Sequence, residues 1–198
     1  KRQANTQLLT NFTNAAIFDN SGMSNLETVG NAQIDTSVVK YGASSLYFDG
    51  AGDWLIPSGS SALYAFGTGD FTIEFWIYIP VTQTSIIYDS RPASTQGAYP
   101  ELYLASNQIN YYHSSAIQIS GVTLANTTWY HIALCRSGTS TKLFVNGSQV
   151  GSTYSDSTNY LCGTNRPAIG VAGNTLADPF NGYLDDLRIT RGVARYVT

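Results

Sequence analysis

Tyrosine side chains and one arginine are concentrated between residues 88 and 113. Sugar rings present apolar C–H faces and hydroxyl groups, so a carbohydrate site combines exposed aromatic rings with polar donors and acceptors. Strand periodicity places Tyr99 and Tyr103 on one face, and likewise Tyr111 and His113. Aromatic residues also cover β-sheets for structural reasons alone, so a purely structural interpretation stays open. The residues that we predict to bind a ligand are Tyr88, Arg91, Tyr99, Tyr103, Tyr111, Tyr112 and His113.

The sequence gives little evidence for a catalytic site. A glycosidase needs two carboxyl groups about 5 to 9.5 Å apart, which on one strand means acidic residues at positions i and i+2. Neither Glu74 nor Glu101 has an acidic neighbour two residues away. The only histidines are His113 and His131, and no Gly-x-Ser-x-Gly motif precedes a helix, so a Ser-His-Asp triad is equally unsupported. We predict that the protein is not an enzyme; a glycoside hydrolase with acids on different strands is the least favoured alternative.

Length and composition bound the class of protein. The 198 residues suit a single domain, 1–198, and 13% aromatic residues with only 12% charged residues indicate a compact core. Basic residues are scattered, and no apolar run reaches the roughly 20 residues that span a bilayer, so we expect neither nucleic-acid binding nor a membrane span. The chain does not begin with Met, and we expect a segment of a larger protein whose residues 1–7 form a flexible tail. Cys135 and Cys162 are expected to be buried thiols, with a disulfide as the alternative.

The elements that must position these side chains are β-strands. Short β-branched and aromatic runs recur, whereas helical apolar spacing is absent. Alternation from Phe71 to Ile79 gives one core face and one amphipathic face, with Glu74, Trp76 and Tyr78, that is partly covered or lines a groove. The predicted strands, enough for two sheets, are Gln33–Val39, Ser44–Phe48, Trp54–Pro57, Phe71–Ile79, Ser85–Asp89, Glu101–Leu104, Gln108–His113, Ala116–Ile119, Trp129–Arg136, Lys142–Val145, Gln149–Ser152, Ala168–Gly170 and Gly182–Thr190.

Six segments stand out in their order along the chain: Phe18–Gly22, Tyr41–Gly50 with Asp53–Leu55, Phe71–Trp76, Thr128–Ala133, Leu143–Gly147 and Phe180–Ile189. Together they resemble the laminin G-like branch of the concanavalin A-like lectin/glucanase superfamily. The closing segment Gly192–Tyr196 resembles a variant found in phage and marine microbial surface proteins. The resemblance implies an all-β fold, a two-sheet antiparallel β-sandwich of the jelly-roll, concanavalin A-like type.

The resemblance also implies a Ca²⁺ site, because many members of this superfamily hold Ca²⁺ with an acid from the last strand and oxygen ligands from early loops. In the last strand, alternation puts Asp185 on the core face with Leu187 unless a bulge intervenes. A buried carboxylate must be paired, hydrogen-bonded or metal-bound. The alternative is that these carboxylates only shape turns and accept backbone N–H groups. The candidate metal ligands are Asp19, Asp49, Asp53 and Asp185.

The superfamily hosts lectins, protein-binding modules, glucanases and structural domains, so the fold leaves function open. We predict a non-catalytic recognition module for carbohydrate on a cell or virion surface, with Ca²⁺ as a structural or ligand-bridging ion. The alternative is a structural module of a virion or surface fibre that contacts neighbouring protein subunits, as in a homo-oligomer. Exposed Tyr111, Tyr112 and His113 along a groove would favour the first, and a flat apolar patch the second.

Overall fold

The computed structural model describes residues 5–10, 17 and 19–198. Predictions for residues 1–4 and for Phe18 lie outside the described residues. The predicted tail is too long, because Thr6 and Gln7 already belong to the first strand. The described residues form fifteen strands and one 3₁₀ turn, Ser61–Leu63, as follows: β1 Thr6–Leu9, β2 Asn25–Val29, β3 Gln33–Asp35, β4 Ser45–Asp49, β5 Trp54–Ser58, β6 Phe71–Tyr78, β7 Ser85–Asp89, β8 Glu101–Ala105, β9 Gln108–His113, β10 Ala116–Thr123, β11 Trp129–Ser137, β12 Ser140–Val145, β13 Ser148–Ser155, β14 Ala168–Ile169 and β15 Asn181–Arg191.

Two antiparallel sheets pack face to face, which confirms the predicted β-sandwich. Sheet I has the order β13-β12-β11-β6-β15-β4-β3, and β1 pairs with the second half of β15. Sheet II has the order β10-β9-β8-β7-β14-β5-β2. Half of the neighbouring pairs in these two orders are not consecutive in sequence, so the sandwich depends on long-range pairing.

The core lies between the sheets and is filled by alternate residues of each strand. Phe75 and Ile77 of β6 belong to the same buried cluster as Leu102 of β8 and Ile109 of β9, and all four are 0% exposed. Burying an aliphatic or aromatic side chain of this size contributes about 1.5–3 kcal/mol. The alternation predicted for residues 71–79 is confirmed, since Glu74, Trp76 and Tyr78 lie on the outer face of sheet I.

The short and the polar strands differ most from the prediction. Strands β1 and β2 are absent from the prediction because β1 has only four residues and β2 is largely exposed. Strand β3 ends at Asp35, four residues before the predicted end, because the Asp35 carboxylate accepts hydrogen bonds from Ser37 N at 2.6 Å and Val38 N at 3.2 Å. This Asx-type turn replaces the ladder bonds that would extend the strand.

The last strand contains a bulge that changes which residues face the core. The register of β15 against β6 shifts between Asp185 and Arg188, and Asp186 adopts a φ of 46°. Leu184 and Leu187 therefore both point inward, although they are three residues apart. The core-face position expected for Asp185 in an unbulged strand therefore does not apply: Asp185 lies opposite Trp76 on the outer face, buried under residues 40–41.

Two smaller features are the hairpin between β12 and β13 and the two cysteines. Asn146 and Gly147 connect β12 and β13 with φ values of 50° and 81°, as the tight hairpin requires. Cys135 and Cys162 are free, the first buried and the second partly buried. No helix among residues 5–10, 17 and 19–198 has the length and apolar character needed to cross a membrane.

Candidate functional site

A groove of 390 Å³ opens on the outer face of sheet II. Strands β7, β8 and β9 form its floor, and the segment 170–180 between β14 and β15 forms one wall. Its lining combines aromatic, aliphatic and polar side chains: Thr84, Ile86, Arg91, Glu101, Tyr103, Tyr112, Ala172, Asn174, Thr175 and Asp178.

The groove is organised around the ion pair of Asp89 and Arg91. Asp89 is fully buried, and its carboxylate accepts three side-chain hydrogen bonds from Arg91 at 2.7–3.0 Å. The backbone N–H groups of Arg91 and Gly173 also donate to it, at 2.8 and 2.6 Å. A buried carboxylate with this many donors is stabilised as the anion, and it fixes the guanidinium at the edge of the groove.

Glu101 lies beside this ion pair and has an altered acidity. It is the register partner of Asp89 on β8, and its carboxyl group contacts Arg91 Nη2. Burial and the charge of Asp89 raise the pKa of Glu101 to about 8, against the opposing effect of Arg91. Because the charge of Arg91 is already balanced by Asp89, Glu101 lacks a cation of its own and is mostly protonated at neutral pH. The groove therefore contains a carboxyl group that can donate a hydrogen bond.

Two tyrosines form the aromatic part of the groove. Tyr103 on β8 and Tyr112 on β9 contact each other edge to face, with ring centroids 6.2 Å apart. The Arg91 guanidinium lies 5.6 Å from the centroid of the Tyr112 ring, which adds a cation–π contact. Burial and neighbouring Glu101 and Tyr112 raise the pKa of Tyr103, so its hydroxyl stays protonated.

The wall of the groove is held in place by Arg166. This side chain is buried, and its Nε donates to the carbonyl oxygens of Arg91 at 3.0 Å and Gly173 at 2.9 Å. A Cβ atom on Gly173 would lie 2.6 Å from the Arg91 carbonyl oxygen. Only glycine permits this close approach, which joins the 170–180 segment to the end of β7.

The structure brings together three of the seven predicted ligand-binding residues, namely Arg91, Tyr103 and Tyr112. Tyr99 is partly buried and lies outside the groove lining. Tyr88, Tyr111 and His113 are 1%, 0% and 2% exposed, so a ligand on the surface has no access to them. The prediction for these three residues was wrong because they point into the sandwich.

Buried Tyr111 and His113 have structural contacts instead. The Tyr111 hydroxyl donates to the Tyr160 hydroxyl at 2.6 Å, and Tyr160 donates to Asp156 Oδ2 at 2.7 Å. The His113 ring packs against the Tyr111 and Tyr160 rings, at centroid distances of 5.5 and 5.2 Å. Alternation correctly placed Tyr111 and His113 on one face, but Ile109, which shares that face, marks it as the interior.

The sequence did not identify Asp89, Glu101, Asn174, Thr175 and Asp178 as site residues. In the sequence, Glu101 stands out only as a possible half of a catalytic pair. The available signal was its position two residues from Tyr103, which puts it on the same strand face. The contribution of segment 170–180 had no local signal, because it depends on contacts with residues more than 70 positions away.

The four candidate metal ligands do not converge. In the pairing of β4 with β15, Asp49 is opposite Asn181 at one end. At the other end Leu184 is opposite Leu46, and Asp185 follows Leu184. Asp49 and Asp185 therefore lie at opposite ends of this pairing. No group of three or more His, Cys, Asp or Glu side chains in the described ranges is close enough to hold a metal ion. The expectation that Asp19, Asp49, Asp53 and Asp185 form one ligand set was therefore wrong.

The carboxylate of each of these aspartates instead accepts hydrogen bonds from backbone N–H groups. Asp19 accepts bonds from four of them between residues 9 and 24, at 2.8–3.0 Å. The Asp53 carboxylate accepts hydrogen bonds from Asn31 N and Asp49 N, and the Asp49 carboxylate accepts one from Ala51 N. Asp185 binds Tyr41 N at 2.9 Å and Asp186 N at 2.8 Å, and burial raises its pKa to about 6. These carboxylates stabilise turns and a bulge, and among the described residues they do not come together as a Ca²⁺ ligand set.

The fold and groove define a concanavalin A-like β-sandwich. Residues 48–194 match the laminin G family model of the concanavalin A-like lectin/glucanases superfamily. This range is well over half of the chain, so the protein belongs to that superfamily. Four of the six sequence segments that carry the resemblance lie wholly inside it.

Solved structures with the same fold include two toxin domains and a domain of an arabinanase. The binding domain of Paraclostridial Mosquitocidal Protein 1 is 19% identical, with a TM-score of 0.72, over 98% of this chain and 50% of that one. The binding domain of botulinum neurotoxin DC, in complex with SialylT, is 14% identical, with a TM-score of 0.70, over 96% of this chain and 49% of that one. The chain thus spans about half the length of these toxin domains.

Domain 4 of AbnA, a GH43 extracellular arabinanase from Geobacillus stearothermophilus, was solved in complex with arabinotriose. It is 17% identical to this chain, with a TM-score of 0.71, over 96% of this chain and 93% of the domain. No curated protein matches the sequence. At these identities the similarity establishes the fold, and the three structures are of domains rather than of whole enzymes or toxins.

Proposed function

We propose that this domain is a non-catalytic module that binds carbohydrate in the groove of sheet II. The observation that carries the proposal is the meeting of the Tyr103 and Tyr112 rings with the Arg91–Glu101 pair in one concave site. Aromatic rings receive the C–H faces of a sugar, and the polar groups fix its hydroxyls. The arabinanase domain in complex with arabinotriose shares the fold and supports a sugar as ligand.

The charges of the groove favour a neutral sugar. Arg91 and Asp89 balance each other, and Glu101 is mostly protonated at neutral pH. Asp178 adds a carboxylate on the opposite wall, which disfavours an anionic ligand. Glu101 donates a hydrogen bond to a sugar hydroxyl, while Asn174 and Thr175 supply further donors and acceptors.

We further propose that the module acts outside the cell or on a cell or virion surface. The extracellular arabinanase domain of the same fold supports this setting. The resemblance of Gly192–Tyr196 to phage and marine microbial surface proteins supports the virion variant.

The test is a glycan array with the purified domain, followed by calorimetric titration of the sugars that bind. Tyr112→Ala should lower the affinity about tenfold or more, since it removes an aromatic contact and the partner of Arg91. Tyr99→Ala is the matched control, because Tyr99 is a partly buried tyrosine outside the groove lining, and it should bind as the wild type does.

Two outcomes would contradict the proposal. Equal effects of Tyr112→Ala and Tyr99→Ala would place binding elsewhere. Release of reducing sugar from a bound glycan, lost in Glu101→Gln, would show that Glu101 takes part in hydrolysis and that the module is catalytic.

A further inference from the structure

The outer face of sheet I carries a straight row of four aromatic side chains, which we call the aromatic row: Tyr47 on β4, Tyr183 on β15, Tyr78 on β6 and Trp129 on β11. Each ring is the register partner of the next. Neighbouring ring centroids are 4.9, 5.7 and 5.5 Å apart. The row therefore crosses four adjacent strands at right angles, and all four side chains are partly exposed.

The aromatic row is held rigid by its own contacts. Tyr47 and Tyr183 are inclined by 33°, Tyr183 meets Tyr78 edge to face at 81°, and Tyr78 is inclined by 52° to Trp129. Contacts of this kind contribute about 0.5–1.5 kcal/mol each. Since the rings are already ordered, a ligand loses little free energy in fixing them.

Polar side chains border the aromatic row on three sides. Gln33 is the register partner of Tyr47 and continues the row onto β3. On one side of the row, Asp49 on β4 and Asn181 on β15 are register partners. Each lies two residues from a tyrosine of the row, on the same face of its strand. Asp35 lies on the same face of β3 on the other side. The border offers amide and carboxylate groups to hydroxyls, and its two carboxylates disfavour an anionic ligand.

We propose that the aromatic row binds an extended, neutral polysaccharide chain that lies across the strands. Successive sugar residues would stack against successive rings, with hydroxyls directed to the polar border. The row and the groove are on opposite sheets, so this second site goes beyond the proposed function and does not depend on it.

A protein partner is less well matched to this surface. A stable protein interface buries about 800 Å² per partner around an apolar centre. Four partly buried rings in a single line expose only a fraction of that area. No aliphatic side chain occupies a position in the row, whose register partners are four aromatic residues and Gln33.

The test measures how affinity depends on the length of the glycan. Linear arabino-oligosaccharides and gluco-oligosaccharides, from disaccharide to hexasaccharide, are titrated into the wild type, Tyr183→Ala and Tyr112→Ala. In the wild type, affinity should rise with length and level off near the tetrasaccharide, because the row has four rings. Tyr183→Ala should lower hexasaccharide affinity about tenfold and abolish the gain with length. Tyr112→Ala should keep that gain and weaken the disaccharide.

Separate controls test whether each variant is folded and what binds to the aromatic row. Melting temperatures verify that each variant is folded, and Tyr47→Ala, at the end of the aromatic row, gives a second variant with a smaller expected loss. A wild type without any gain in affinity with length overturns the second site. So does a gain that survives in Tyr183→Ala and Tyr47→Ala. A wild-type dimer that Tyr183→Ala dissociates overturns it in favour of a second copy of the chain. If only the groove does not bind sugar, Tyr112→Ala has no effect on affinity, while the rise of affinity with glycan length persists.

Discussion

The hydroxyl of Tyr196 donates a 2.6 Å hydrogen bond to the buried carboxylate of Glu74 and so ties the C-terminal segment to the middle of sheet I. The same carboxylate lies 2.5 Å from Arg195 Nε, 3.5 Å from His131 Nε2 and 3.8 Å from Arg188 Nη1. Burial by itself would raise the pKa of Glu74, but the hydrogen bonds and the two arginines outweigh it and hold the pKa below its usual value. Glu74 is therefore the ionised centre of a structural cluster rather than a free acid.

Tyr196→Phe removes one hydrogen bond to this carboxylate and should destabilise the domain by about 1–2 kcal/mol at neutral pH. Urea denaturation measures the loss, and Tyr41→Phe, at an exposed tyrosine, should leave stability unchanged. Because the pKa of Glu74 is lowered in the folded state, its stabilisation is present above the ordinary pKa of 4.5 and is lost as the pH falls below it. A difference between Tyr196→Phe and wild type that persists in acid would contradict this assignment.

Glu101→Gln should change the pH dependence of stability in the opposite sense. The folded pKa of about 8 lies above the ordinary value of 4.5, so the native state retains a proton that the unfolded chain loses between these values. Wild-type stability therefore decreases as the pH rises through this window, and Glu101→Gln removes the decrease. Melting curves should nearly coincide below pH 4.5 and separate above pH 8, with the variant more stable. Curves that separate only at low pH would refute the raised pKa.

Asp89 and Arg91 should be strongly coupled. Arg91→Ala leaves the buried Asp89 charge uncompensated and should cost about 3–5 kcal/mol, whereas Asp89→Ala should cost less because Glu101 can pair with Arg91 in its place. The double variant should cost clearly less than the sum of the two single variants. Chemical denaturation of the four proteins gives this coupling directly, and additive losses would show that the ion pair contributes little. Glycan affinity should fall in all three variants, because Arg91 lines the groove and the Asp89–Gly173 hydrogen bond holds the groove wall.

Adjacent Tyr111 and Tyr112 should respond differently to the same substitution. Tyr111→Ala creates a cavity and removes a partner from Tyr160, so it should destabilise the domain by about 3–5 kcal/mol. Tyr112→Ala, on the outer face, should change the melting temperature much less and act on glycan binding. Thermal denaturation of both variants, with binding measured on the folded fraction, distinguishes the two roles. Comparable losses of stability would contradict the assignment of Tyr112 to the surface.

Removal of divalent cations should leave the domain intact. The Asp19, Asp53 and Asp185 carboxylates accept hydrogen bonds from backbone N–H groups, and the described part of the chain holds no cluster of metal-binding side chains for a chelator to disrupt. The melting temperature should be the same in calcium and in chelator, whereas Asp53→Ala should be destabilised by about 1–3 kcal/mol in both. A melting temperature that rises with added calcium would show a metal site after all.

Much of the sandwich could be predicted because period-two alternation is a local property. The strand of Phe75 and the hairpin at Asn146-Gly147 follow from residue types alone. Aromatic rings on both faces of β9 do not by themselves distinguish inside from outside, and the assignment of Tyr111 to the surface overlooked Ile109, which shares its face. Alternation also assumes an uninterrupted strand, so the bulge at Asp186 put Asp185 on the outer face while Leu187 kept its expected place in the core. The groove wall at Gly173 had no local signal because it is set by contacts with Asp89 and Arg91.

The back-to-back arrangement of the two sheets gives the domain two outward surfaces that face away from each other. A short oligosaccharide in the groove cannot also reach the aromatic row, because the packed core separates the sheets by about 10 Å. Occupation of one surface therefore leaves the other open. A domain with both surfaces occupied would cross-link two polysaccharide chains, and its apparent affinity for a dense glycan layer would exceed the affinity of either surface alone.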